Sequence, residues 1–199
     1  MAAVTGVLLA AGAGRRAGGP KSLRRDTDGT SWLARSIAVL VDGGCDDVLV
    51  VLGCEAEAAR RLLAEPAVRV AVRVAVGIAE NPSWAEGMGS SLAVGLQSVG
   101  AGPGRAALVH LVDLPDVSAA VVARVLDRPL TPDTLARATY DGRPGHPVLV
   151  GAAHLAPLVA SLGGDRGGQA YLRISGAREV ECADLATGHD DDHAPGLAG

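Results

Sequence analysis

The stretch "LLAAGAGRRAGGPK", Leu8 to Lys21, decides how the chain is to be read. It closes an apolar run of strand length, Val4–Leu9, and carries four glycines, Arg15, Arg16 and Lys21 with no acidic residue. A linker, a dinucleotide-binding turn and a triphosphate loop can all look glycine-rich. A strand leads straight into this one and its charge is one-sided, which argues against a linker. The G-x-G-x-x-G spacing of a dinucleotide turn is missed, because Ala17 stands where the third glycine belongs. Such turns hold a pyrophosphate with backbone N–H groups and a helix dipole, and need fewer cations than this stretch offers. No G-K-[ST] follows, so it is not a Walker loop either. Three cations on a glycine loop suit a nucleoside triphosphate.

Outward from the loop, short apolar strands alternate with helical spacings. Ser31–Val41 repeats Leu33, Ile37, Leu40 and Val41 and stops at Gly43-Gly44. Val48–Leu52 and Ala106–Val112 read as solidly apolar strands, and Val68–Val76 alternates as a strand. Glu55–Ala64, Ser90–Val99 and Ser118–Leu126 read as helices, the last two opened by serine caps. The second half suggests a hairpin, Leu135–Thr139 with Pro147–Val150, then helices at His154–Leu162 and Ala170–Ile174 and a last strand at Arg178–Cys182. This is the pattern of a three-layer α/β fold, a mostly parallel central sheet with helices on both faces. Ligands of such sheets sit outside the carboxyl ends of the strands. The glycine loop and Asp113 both follow strands, so both belong on that edge.

Composition bounds the rest. The 199 residues suit a single domain, 1–199, and at this length roughly 70% of the unfolded surface is buried. With 2% aromatics and no Phe, the core must be Ala, Val and Leu. A net charge of −4 argues against bulk nucleic-acid binding but allows a local basic pocket. Cys45, Cys54 and Cys182 form no C-x-x-C pair, so a zinc site or disulfide framework is not indicated, and three isolated thiols fit a cytoplasmic protein. No basic leader precedes Val4–Ala11, and no apolar run approaches the ~20 residues of a membrane span. A monomer or weak dimer is expected.

Five further segments carry chemistry. In "NPSWAEGMGSSLAVGL", Asn81–Leu96, Gly87 and Gly89 flank Met88 and would let backbone approach a flat ligand; Ser90 and Ser91 would offer hydroxyls to a base or ribose, or cap the helix. In "LVHLVDLPDVS", Asp113 follows a strand and suits Mg²⁺, which takes one or two carboxylates beside phosphate oxygens; Asp116 is better placed as a helix cap. His146, before Pro147, is restricted to extended backbone and either touches a substrate or is structural. "GGDRGGQAYL" sets Asp165 and Arg166 on a glycine turn suited to a phosphate. The tail "HDDDHAPGL" offers Asp190 and Asp192, as metal ligands or as a disordered acidic end.

These segments resemble one family. Leu9, Ala10, Ala11, Gly12, Gly14, Arg16, Gly18 and Lys21 match the loop of nucleotidyltransferases that activate small phosphates with CTP or GTP, with Ala17 in place of a Met. "WAEGMGSSL" and "GHPV" narrow the likeness to the molybdenum cofactor cytidylyltransferase-like, or MobA-like, branch. Asp113 and Pro115 match its G-D-x-P, with Val112 for the glycine. Asp165, Arg166 and Gly167 match its G-D-x-G-A-R, with Gln169 for an Arg. Asp190 and Asp192 match its D-x-D, with His193 for Thr.

The resemblance implies a Rossmann-like nucleotidyltransferase fold with an N-terminal nucleotide-binding half and a C-terminal acceptor-binding half. It implies transfer of CMP from CTP to the phosphate of molybdopterin or molybdenum cofactor, with pyrophosphate released. Two alanines before the glycine go with cytidylyl transfer in this family, and a glycine at the place of Ala11 with guanylyl transfer. The expected site has Arg16, Lys21 and Asp113 as catalytic residues. Leu9, Ala10, Ala11, Gly12, Gly14, Gly87, Ser90 and Ser91 bind nucleotide, and His146, Asp165 and Arg166 bind acceptor. Mg²⁺ sits on Asp113 and Asp192. Lys21 is expected to be exposed. The departures leave room for GTP, for another small phosphate, or for a non-catalytic cofactor carrier serving an apo-molybdoenzyme.

Overall fold

The computed structural model describes residues 3–66, 68, 76–100, 106–127, 129–163 and 167–191, and of Arg16 the backbone alone. Asp165, Arg166, Asp192 and residues 69–75 of the strand expected at 68–76 lie outside the described residues. Seven strands form one sheet: β1 (Val4–Leu9), β2 (Asp47–Leu52), β3 (Val76–Glu80), β4 (Ala106–Leu111), β5 (Leu135–Tyr140), β6 (Arg143–Val150) and β7 (Arg178–Glu181), in the order β3-β2-β1-β4-β6-β5-β7. Strand β6 is antiparallel to β4 and β5, and the remaining pairings are parallel. The sheet is thus mixed and mostly parallel, as the apolar strands imply.

Side chains alternate across the sheet. Val4, Leu8 and Leu108 pack with α1 (Trp32–Asp42), α2 (Ala56–Ala64) and α4 (Ala119–Leu126) in one core. Val7, Leu9, Val109 and Val148 pack with α3 (Met88–Gly100), α5 (Ala152–Ser161) and α6 (Gln169–Ile174) in a second. A period of two is what sends neighbouring residues to opposite layers. With few aromatics, the layers close through small residues. A Cβ on Gly95 of α3 would lie 2.6 Å from Val7 Cγ1, so a glycine in mid-helix lets α3 settle on β1. Among the described residues no helix is long and apolar enough to cross a membrane.

Register sets the functional edge. Leu9 lies opposite both Val51 and Leu111, so β1, β2 and β4 end nearly level and their loops emerge side by side. Ser31 caps α1 by accepting from Ala34 N at 3.4 Å, whereas Ser118 stands at the start of α4 without a side-chain cap bond. The two-residue turn Asp141-Gly142 joins β5 to β6 with φ of 51° and 73°. These positive values suit the twist of a tight hairpin. The Glu181 carboxylate of β7 accepts from Asp141 N at 3.0 Å, Gly142 N at 3.2 Å and Thr139 Oγ1 at 2.9 Å.

Those hydrogen bonds, the Thr139 hydroxyl first, hold the Glu181 carboxyl at about 2, below its ordinary 4.5. A depressed carboxyl stabilises the fold above its unfolded pKa, and that contribution fades as pH falls through the folded one. Glu181→Gln should therefore lower the thermal unfolding midpoint at pH 7. Its difference from the parent should shrink between pH 4.5 and 2; melts at a pH series check both.

Candidate functional site

The loop after β1 is fastened on both sides to the strands beside it. Ala10 N donates to Val51 O, Cys54 N to Ala11 O and Val112 N to Leu9 O. These bonds continue the parallel pairing one step past the strand ends, so the first residues of the loop are as fixed as the sheet. The chain then turns back at Gly14, whose carbonyl accepts from Ala17 N and Gly19 N. Gly14 has φ 56°, and a Cβ there would stand 1.9 Å from Gly19 O, so this turn requires glycine. No atom lies within 4 Å of a Cβ built on Gly12, which leaves its backbone open to a ligand. Arg24, stacked over the Trp32 ring, donates to Ala17 O and secures the far end. Arg16 follows Gly14 in a short 3₁₀ turn, Arg15–Ala17.

Lys21 opens a second 3₁₀ turn, Lys21–Leu23, and is not exposed as expected. Its Nζ lies 2.7 Å from Asp113 Oδ2, and the side chains are 12% and 18% accessible. The two residues follow β1 and β4, neighbours in the sheet, so two loops distant in sequence meet in one ion pair. A charge left without its partner in such a place is costly, which holds the pair together until a ligand offers replacements.

The C-terminal segment reaches the same place. Asp116 does not cap α4; its carboxylate accepts from Thr187 N and Thr187 Oγ1, each at 2.6 Å. Asp191 N donates to Asp113 O at 2.9 Å. So strapped, the tail brings Asp190 to the cleft that Lys21 and Asp113 line, and its 187–191 portion is tied to the fold. That cleft encloses about 520 Å³ and runs along Leu9–Gly14 to Trp84, Gly87, Met88 and Ser91. Ser22 lines it as well, and its buried hydroxyl has no partner among the described residues.

The serines serve differently from the expected caps. Helix α3 begins at Met88, so both lie inside its first turn. The buried Asn81, just after β3, donates through Nδ2 to Ser90 Oγ at 2.8 Å and Ser91 Oγ at 3.0 Å. Ser90 spends its proton on the Ser83 and Gly87 carbonyls. Ser91 lines the cleft, and since its oxygen accepts from Asn81 its own proton remains for a ligand. Trp84 rests on Gly53, where a Cβ would meet its Cβ at 2.5 Å. Trp84 and Asn81 were not singled out in the sequence. A tryptophan in a chain this poor in aromatics, and an Asn at a strand end, were the available signals.

A second, smaller cavity of about 160 Å³ shares Leu9 and Met88 with the cleft. His146 lines it from β6 rather than from a loop, its carbonyl accepting from the Tyr140 hydroxyl at 2.7 Å. Burial pushes His146 down to about 4, only partly opposed by the Asp113 charge. His110 on β4, fully buried, is pushed to about 3 for the same reason. Both are neutral imidazoles at pH 7. The structure therefore brings together Leu9–Gly14, Lys21, Asp113, Gly87 and Ser91 in one cleft, with His146 next door, and turns Ser90 to internal support.

Comparisons with known proteins bear on the family and the fold. The model of the MobA-like NTP transferase domain matches residues 6–182. A curated relative, the nicotine blue oxidoreductase of Paenarthrobacter nicotinovorans, is 38% identical over 200 residues, 95% of this chain and 92% of its own. A nucleotidyl transferase from Methanothermobacter shares the fold with a TM-score of 0.76 at 20% identity, over 96% of this chain and 92% of that one. Rv0371c of Mycobacterium tuberculosis, solved in complex with manganese, gives a TM-score of 0.63 at 29% identity over 90% and 88% of the two chains.

The neutrality of His146 can be tested directly. Its ring protons should not titrate by NMR between pH 8 and 5.5, and should begin to shift only as pH approaches 4. An inflection near the ordinary 6.5 would mean that the ring is solvated.

Proposed function

The chain belongs to the MobA-like NTP transferase family, and on that footing we propose that it transfers CMP from CTP to the phosphate of molybdopterin or its molybdenum-loaded form. The observation that carries this reading is the cleft itself. A rigid glycine loop, a poised Lys21–Asp113 pair and the hydroxyl of Ser91 line one polar cavity. A mostly apolar cavity adjoins it at Leu9 and Met88. On this reading the N-terminal half holds the nucleotide and the C-terminal half the acceptor, through His146, Asp165 and Arg166, with Arg166 assigned to its phosphate.

An oxygen of the acceptor phosphate attacks the α-phosphorus of CTP in line. The new P–O bond forms as the bond to the bridging α–β oxygen breaks, and pyrophosphate leaves with that electron pair. Such transfers rest on positioning and charge neutralisation. The acceptor is already ionised at neutral pH, so no general base is assigned. Backbone N–H groups of the loop, with Arg16, hold the β- and γ-phosphates. Lys21 leaves Asp113 for the phosphate oxygens and stabilises the departing pyrophosphate.

The carboxylates fit a divalent cation shared with the substrate. Asp113 and Asp190 both line the cleft, and among the described residues no cluster of three ligating side chains forms a closed site. Asp113 and Asp190 would supply the one or two carboxylates that Mg²⁺ takes beside phosphate oxygens. When bound it would neutralise charge on the triphosphate. Asp192, two residues beyond Asp190, is the other carboxylate assigned to it. The manganese complex of Rv0371c supports divalent metal use.

At Ala11 the methyl group crowds a purine and admits a pyrimidine. Pyrophosphate release with molybdopterin as acceptor should favour CTP over the other three nucleotides, and Ala11→Gly should move that preference toward GTP. Lys21→Ala should cut turnover well over tenfold, with melting followed alongside because Asp113 loses its partner. Wild-type turnover in that variant would remove Lys21 from the mechanism.

A second reading has the relative's name behind it. At 38% identity, an oxidoreductase acting on nicotine blue is the rival. A dinucleotide hydride donor would place its pyrophosphate on the same loop. Oxidation of NADH or NADPH by nicotine blue, with no pyrophosphate released from any nucleotide, would decide for it.

A further inference from the structure

Phosphate chemistry does not account for the smaller cavity. Its floor is the sheet, with Leu9, Val109, Val148 and Arg137 contributed by β1, β4, β6 and β5 in spatial order. Helices α3, α5 and α6 roof it through Leu92, Leu158 and Leu172. Everything in that set is aliphatic except Arg137, which sits where the packing asks for another aliphatic residue. Arg137 is 9% exposed. Its Nη2 donates to the Glu179 carboxylate on β7 at 2.6 Å. Its Nε is buried with no hydrogen-bond partner among the described residues. A buried N–H on a charged group is costly to leave unpaired, and native structures seldom do so without a reason.

We infer that Arg137 is the residue that recognises the acceptor: its Nε–H donates to a carbonyl or anionic oxygen on the edge of a flat heterocycle lodged in this cavity. The inference rests on the acceptor reading above and names the contact that reading lacks. The size and walls fit, because a cavity of about 160 Å³ between a sheet face and a helix layer offers a planar ring aliphatic walls. The polar groups fit too. Beside Arg137 the cavity offers the neutral His146 ring and the Gln169 amide, which would meet ring nitrogens and a carbonyl. The placement fits as well. A ring seated here would send its phosphate past Leu9 and Met88 into the cleft, where the glycine loop and Lys21 lie. Glu179 on β7, half exposed, is the positioning residue: it holds the guanidinium through Nη2 and leaves Nε unspent.

The test uses 6-carboxypterin, a fluorescent pterin without a phosphate. It should bind the wild-type protein and shift the Arg137 ¹⁵Nε–¹Hε resonance. Arg137→Lys keeps the charge but has no Nε–H, and should weaken the probe by about tenfold or more. Its affinity for CTP with Mg²⁺ by calorimetry should stay within about twofold. Glu179→Gln removes the ion pair alone and should keep probe affinity within about threefold. In the transfer assay Arg137→Lys should raise the KM for acceptor and leave that for CTP. The inference falls if wild-type protein does not bind the probe, or if the Arg137 resonance is unmoved at saturation. It falls equally if Glu179→Gln weakens the probe as much as Arg137→Lys, which would make the arginine structural. It falls too if cytidine displaces the probe from the slot. Arg137-dependent probe binding without pyrophosphate release would sink the transfer reading and leave the slot assignment standing.

Discussion

Lys21 Nζ and Asp113 Oδ2, 2.7 Å apart, join the two loops on which the site depends. One loop follows β1 and the other follows β4, and these strands are hydrogen-bonded neighbours in register from Val4–Ala106 to Leu9–Leu111. Parallel strands of equal reach deliver both charges to one edge. The ion pair then fixes the distance between them across the cleft. Asp113 also accepts from Asp191 N, so the same residue gathers the C-terminal segment and with it Asp190. On the proposed function, a polyanion with a divalent cation would offer each partner a better match than the other.

The two cavities differ in the physics that holds a ligand. The larger is built of backbone, cations and carboxylates around glycines, and recognises charge. The smaller is aliphatic, its imidazole neutral because burial holds His146 near 4, with one buried guanidinium at its floor. Leu9 and Met88 belong to both. A substrate that is ionic at one end and flat and weakly polar at the other would fit the pair, and neither half alone would select it. Asn81 secures the boundary from behind by holding Ser90 and Ser91, so the start of α3 cannot drift from the cleft.

Much of this was legible in the sequence, and the reason differs from segment to segment. Solid apolar runs at Val4–Leu9 and Ala106–Leu111 mark buried parallel strands because strands covered on both faces have no polar side to show. The glycine loop declared itself through charge and spacing. The hairpin extended further than expected, with β6 reaching back to Arg143, because a hairpin turn at Asp141-Gly142 is set by backbone conformation and by Glu181 from a distant strand. The serines were legible as residues and not as roles, since Asn81 reaches them only when β3 and α3 are brought together.

By itself the sequence determined the layered fold and singled out the glycine loop with Arg16 and Lys21, and Asp113 after another strand, as separate candidates. Those features are encoded locally, in periodicity, in glycine positions and in a one-sided run of charge. Only the tertiary structure decided that Lys21 is half-buried against Asp113, that Asp190 reaches the cleft, and that Arg137 lies with a spare N–H at the floor of an aliphatic cavity. Each of these joins residues from different strands, and the distance between strands is set by sheet order and register, which no local pattern records.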